Sequence, residues 1–203
     1  MKLTLLFLGL AIPAAQALDF TPIEAKMKGE AGTYSYVEFR DGRSRISYVP
    51  PKAWEFRGDS AAFRLCPPAG GSAEVEFHSQ ALKEPVEMEA ENLKAFEAIA
   101  RESLPPGATK IETLGLAFNP RELDGHKTVE VTLSYGFFGQ TIKASLLYVV
   151  RQTAPVRFRV DSRASASLAR DASLVVFRVA ARAADFDRAR DAIHQSLGTL
   201  SGL

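Results

Sequence analysis

Val129–Val150 reads VEVTLSYGFFGQTIKASLLYVV. Val129, Val131, Leu133 and Tyr135 alternate with Glu, Thr and Ser, and after Gly139 the alternation resumes at Ile142, Ala144, Leu146, Tyr148 and Val150. A period of two is that of a strand with one face buried. The stretch therefore predicts a long hairpin whose turn, Tyr135-Gly136-Phe137-Phe138-Gly139, sets aromatic rings between two glycines.

Similar signals lie on both sides. Val156, Phe158 and Val160 interleave with Arg157 and Arg159, and an apolar strand follows at Leu174–Ala181. Upstream, Lys110–Phe118 reads as a strand stopped by Asn119-Pro120. Thr33–Phe39 and Arg43–Val49 flank Arg40-Asp41-Gly42, a hairpin signal because Gly takes the positive φ of a tight turn. Pro50-Pro51 ends that ladder, since neither residue has an N–H to donate. Two short strands, Ala61–Cys66 and Ala73–Ser79, are separated by Pro67-Pro68-Ala69-Gly70-Gly71. Two helices are expected. Glu89–Leu104 carries Leu93, Phe96, Ala100 and Leu104 on one stripe, and Asp185 caps a second helix with Phe186, Ala189, Ile193 and Leu197 on its stripe. Sequential hairpins with two separated helices predict an α+β fold, an antiparallel β-sheet sandwiched with helices.

The N-terminus points to export. Lys2, the apolar run Leu3–Ile12 and Ala15-Gln16-Ala17 follow the signal-peptide pattern, so residues 1–17 are expected to be removed and 18–203 to form a single domain. The apolar run is too short to span a bilayer, which takes ~20 residues, and no transmembrane segment is expected later. Cys66 is the only cysteine, which excludes an internal disulfide, and its place in AFRLCPP predicts burial. Net charge is +1, which argues against nucleic-acid binding. Leu18–Asn119 nevertheless has a net charge of −4 and Pro120–Leu203 one of +4. The halves either compensate on one surface or leave an arginine-lined face for an anionic partner.

With the elements in this order the chain resembles the PsbP-like superfamily, which includes the extrinsic photosystem II subunit P, the Ran-binding Mog import factor and DcrB-like proteins. The resemblance rests on the entry Ile46-Ser47-Tyr48-Val49-Pro50-Pro51-Lys52-Ala53-Trp54, on the central hairpin, and on the last strand running through Asp185-Phe186-Asp187 to Ser196-Leu197. It implies an α/β/α sandwich, functions of binding, docking and assembly, and a Trp54 that packs between helix and sheet.

No catalytic constellation is legible. His78, His126 and His194 lie far apart and have no ligand partner at i+2 or i+4, so no metal is expected. There is no Gly-x-Ser-x-Gly elbow and no phosphate loop, and no cofactor is expected. Glu84, Glu87, Glu89 and Glu91 lack the spacing of a calcium loop. Two features suit binding: Phe137 and Phe138 at the hairpin end, and Arg157 and Arg159 on one strand face, with Arg151 and Arg163 nearby. The expectation is an exported, non-enzymatic binding or assembly-accessory domain that recognises a protein partner. The alternative is a periplasmic carrier of a small apolar or anionic ligand.

Overall fold

The structure, a computed structural model, describes residues 18–29, 32–42, 44–68, 71–81, 88–152 and 172–203. The expected hairpin is there. β8 (Thr128–Phe137) and β9 (Gln140–Gln152) pair antiparallel, with Tyr135 opposite Ile142 and Phe137 opposite Gln140. Around them a seven-stranded antiparallel sheet runs in the order β4-β5-β6-β10-β9-β8-β7. Its other strands are β4 (Glu55–Gly58), β5 (Ala62–Cys66), β6 (Glu74–Ala81), β7 (Thr109–Phe118) and β10 (Ala172–Arg182). A second antiparallel sheet is made of β1 (Asp19–Gly29), β2 (Gly32–Asp41) and β3 (Ser44–Tyr48). Gly42 has φ +57° at the turn into β3, as the Asp-Gly signal requires.

The two faces of the large sheet are covered differently. On one face Phe63, Phe77, Val175 and Phe177 meet Phe39, Ile46 and Tyr48 of the small sheet and Ile193 and Leu197 of helix α2 (Phe186–Leu197). Edge-to-face rings bind this layer: Phe39–Phe63 centroids are 4.9 Å apart, and so are those of Phe77–Phe177. On the other face Val129, Val131, Leu133, Leu146, Tyr148 and Val176 meet Phe96 and Ala100 of helix α1 (Leu93–Glu102).

The expected helix-sandwiched α+β arrangement is therefore corrected. The fold is β-rich: two antiparallel sheets stack on one another, and the two helices fill in around them. The physical reason lies at the start of the chain. Asp19–Gly29 shows little apolar alternation, yet it pairs with β2 from Lys28↔Thr33 through to Asp19↔Arg40 and converts the expected hairpin into a sheet large enough to form a layer. The four-residue β4 carries too short a pattern to be read in advance. The strand expected at 156–160 and the segment 1–17 lie outside the described residues. Cys66 is a second correction. It is exposed at the end of β5, where alternation turns it away from the core that Leu65 enters.

Asp185 flanks α2 as expected but makes no side-chain cap bond. Its carboxylate instead accepts from Ser72 Oγ at 2.6 Å and from Arg182 and Arg188, and Ser72 foremost holds it below the usual carboxylate range. At the other helix, Thr113 Oγ1 donates to Glu97 at 2.6 Å, and Lys94 and Arg101 add further bonds. These bonds, led by Thr113, bring the Glu97 carboxyl down to about 2. They tie α1 to β7 at the edge of the sheet, where α1 rests over β7 and β8.

Candidate functional site

The turn between β8 and β9 is two residues long, and both have positive φ: Phe138 at +46° and Gly139 at +74°. Such turns match the strand twist, but an aromatic residue is an uncommon occupant of the first position. Phe138 is 90% exposed. Its ring lies 4.4 Å from that of Phe137, centroid to centroid, at 64°. Phe137 continues the inward alternation, is partly buried against the α1-side core, and has Tyr135 at 6.5 Å behind it. The tip is thus one exposed ring propped on a half-buried pair.

Behind the tip, on the α1 side of the large sheet, lies a cleft of about 490 Å³. Tyr135, Phe137 and Ile142 form one end, Ser103 and Pro105 after α1 form a lip, and Glu74, Glu76, His78 and Arg178 form the other end. Strand alternation accounts for the polar end. Val75 and Phe77 point into the inter-sheet core, which sends Glu74, Glu76 and His78 to the α1 side. In β10 the same face reads Leu174, Val176, Arg178, Ala180, and Arg178 stands between Glu76 and Leu146.

The electrostatics of this end are uneven. Arg64 Nε donates to Glu76 at 2.8 Å. The Arg178 side chain is only 14% exposed, yet its carboxylate contact is Glu74 at 3.5 Å, a side chain 66% exposed. Arg178 Nε, His78 Nδ1 and Tyr148 Oη are buried polar atoms without a hydrogen-bond partner among the described residues. All three occupy this face, in adjoining rows where Val176 stands between His78 and Tyr148. Burial lowers the His78 pKa, Arg178 and Arg64 lower it further, and Glu76 at 3.4 Å opposes them. His78 is therefore neutral at neutral pH. Burial likewise pushes the Tyr148 hydroxyl up.

No family model and no curated protein matches the chain. A solved structure does. The chain is similar in fold to LpqN. The crystal structure of LpqN, which is involved in cell envelope biogenesis of Mycobacterium tuberculosis, aligns with a TM-score of 0.54 over 89% of this chain and 90% of that one, at 14% identity. At that identity LpqN supports the fold of this chain, a β-rich one, and nothing finer.

Of the residues singled out in the sequence, Phe137 and Phe138 come together at the tip and the cleft rim. Arg157 and Arg159, with Arg163, lie outside the described residues. Arg151 does not belong to an open basic face, since it is mostly buried against Asp41 at 2.6 Å. Trp54 packs against the inter-sheet core but stays partly exposed, and it lines a second cavity of about 520 Å³ with Pro67, Pro68, Ala189 and Ala192. His126 contacts the Leu203 carbonyl, and His194 contacts Glu130 at 3.3 Å. Among the described residues no three His, Cys, Asp or Glu are grouped to hold a metal, and no helix is long and apolar enough to cross a membrane. Arg178 was missed. Its signal was a single charge inside the apolar run Leu174–Ala181.

Proposed function

We propose that this chain is an exported, non-enzymatic binding or assembly-accessory module that recognises a protein partner through the β8–β9 tip. The observation that carries the reading is Phe138, 90% exposed and propped outward by Phe137. An exposed ring at the end of a rigid hairpin suits insertion into a partner's pocket, because it contributes large apolar area at a low cost in side-chain entropy. A fold-level neighbour involved in envelope biogenesis is compatible with an exported accessory role. Leu18 at the N-terminus of the isolated protein is the expected mark of signal-peptide removal.

Replacing Phe138 with Ser tests the reading. With its ring in solvent, the substitution leaves the melting temperature unchanged and abolishes co-purification of the partner from the native envelope. Retention of the partner by this variant overturns the tip as the contact. Charge reversal at Arg157 and Arg159 tests the basic-face part of the same reading. A second reading, a carrier of a small ligand, is favoured by the cleft behind the tip, whose size is within the range of small-molecule sites.

A further inference from the structure

We infer that the cleft between α1 and the β6–β10 strands is a site for a small amphipathic monocarboxylate, anchored by Arg178. The inference rests on the carrier reading and is independent of the partner contact at Phe138.

A guanidinium has five N–H donors, and one withdrawn from water is costly unless carboxylates or carbonyls receive them. Arg178 has a side chain only 14% exposed, its Nε has no acceptor among the described residues, and its carboxylate contact among them is a long one, 3.5 Å, to the exposed side chain of Glu74. Arg64, two strands away on the same face, shows what a satisfied arginine looks like here, with Glu76 at 2.8 Å. Among the described residues Arg178 is thus an under-compensated cation of the cleft, and Glu74 is the counter-ion that a ligand displaces.

Charge decides the class of anion. Among the described lining residues Glu74, Glu76 and Arg178 sum to −1, Arg64 outside the lining neutralises Glu76 and brings the total to zero, and a neutral His78 adds nothing. A monocarboxylate takes the planar, two-pronged geometry that an arginine offers. A phosphate dianion entering the same space brings a second negative charge toward Glu74 and Glu76, which a monocarboxylate does not. The opposite end is apolar, with Tyr135, Phe137, Ile142 and Pro105, so the anion carries an apolar body several carbons long.

The probes are 4-phenylbutyrate and its neutral counterpart 4-phenylbutan-1-ol, titrated into isotopically labelled protein and followed by backbone amide shifts. The expected result is saturable shifts at His78, Tyr135, Phe137 and Arg178, with the alcohol at least tenfold weaker. Arg178→Met, checked for folding by its melting curve, loses the preference for the carboxylate. Glu74→Gln, which removes the competing counter-ion, binds the carboxylate at least as tightly as the unaltered chain. Equal affinity for both probes overturns the carboxylate anchor while leaving the carrier reading standing. Saturation by neither probe up to 20-fold above the highest protein concentration overturns both. Shifts confined to other residues overturn the site.

Discussion

Replacing Arg178 with Met separates a structural arginine from one kept for a ligand. The contact to Glu74 is 3.5 Å long and its partner is two-thirds exposed, so its loss costs about 0–1 kcal/mol. Leaving Nε buried without an acceptor already costs about 1–3 kcal/mol in the native protein. Met keeps much of the aliphatic packing and removes that penalty. The net expectation lies between no change and a gain of about 2 kcal/mol, or up to ~8 °C in melting temperature for a chain of this size. Urea denaturation followed by circular dichroism reads it, with an unchanged m-value to show that the two end states are comparable. Arg151→Met is the contrasting case. Arg151 and Asp41 are mostly buried and 2.6 Å apart, so the substitution strands Asp41 and costs about 2–4 kcal/mol. A loss above about 2 kcal/mol in Arg178→Met would refute the reasoning and make Arg178 part of the scaffold.

Three further outcomes are expected. Burial pushes the Glu130 carboxyl up, but hydrogen bonds from His194 and Ser145 and the charges of His194 and Arg190 outweigh it and hold the group below its ordinary range. Its stabilisation is therefore full above the ordinary carboxylate pKa and is lost as pH falls through the lowered one. Glu130→Gln costs about 1.5–3 kcal/mol at pH 7, and in urea titrations the difference narrows steadily below about pH 4. Tyr48→Phe removes a buried 2.7 Å bond to Ser196, which keeps its bond to the Ile193 carbonyl, so equilibrium unfolding shows a loss of about 1 kcal/mol. Trp54, the only tryptophan, is quenched by acrylamide in the folded protein because it borders a cavity, and a ring sealed in the core would resist the quencher.

The central hairpin, the Asp-Gly turn and the apolar stripe of α2 were legible because each is a local pattern. Their alternation or periodicity survives in one dimension. The second sheet was not legible as a layer. Leu18, just before β1, and Phe20 within it are buried, but Met27 toward the far end of the strand lies in solvent, so no continuous alternation marks it. Its role comes from pairing with β2, a tertiary event. The tip was visible as two aromatics before a glycine, although only the backbone shows that Phe138 itself takes the left-handed position. Arg178 was hidden for a different reason. Whether a lone charge in an apolar strand is satisfied depends on the register of the two neighbouring strands, and here that register supplies Glu76, already engaged by Arg64, on one side and Leu146 on the other.

The measurement that bears most directly on a partner-binding module is site-specific photo-crosslinking in intact cells. Benzoylphenylalanine is placed at position 138, with the exposed β7 residue Glu112 as the control position. The account predicts one reproducible envelope protein captured from position 138 and absent from position 112. Equal capture from both positions, or none from 138 while the protein remains folded and exported, would contradict it.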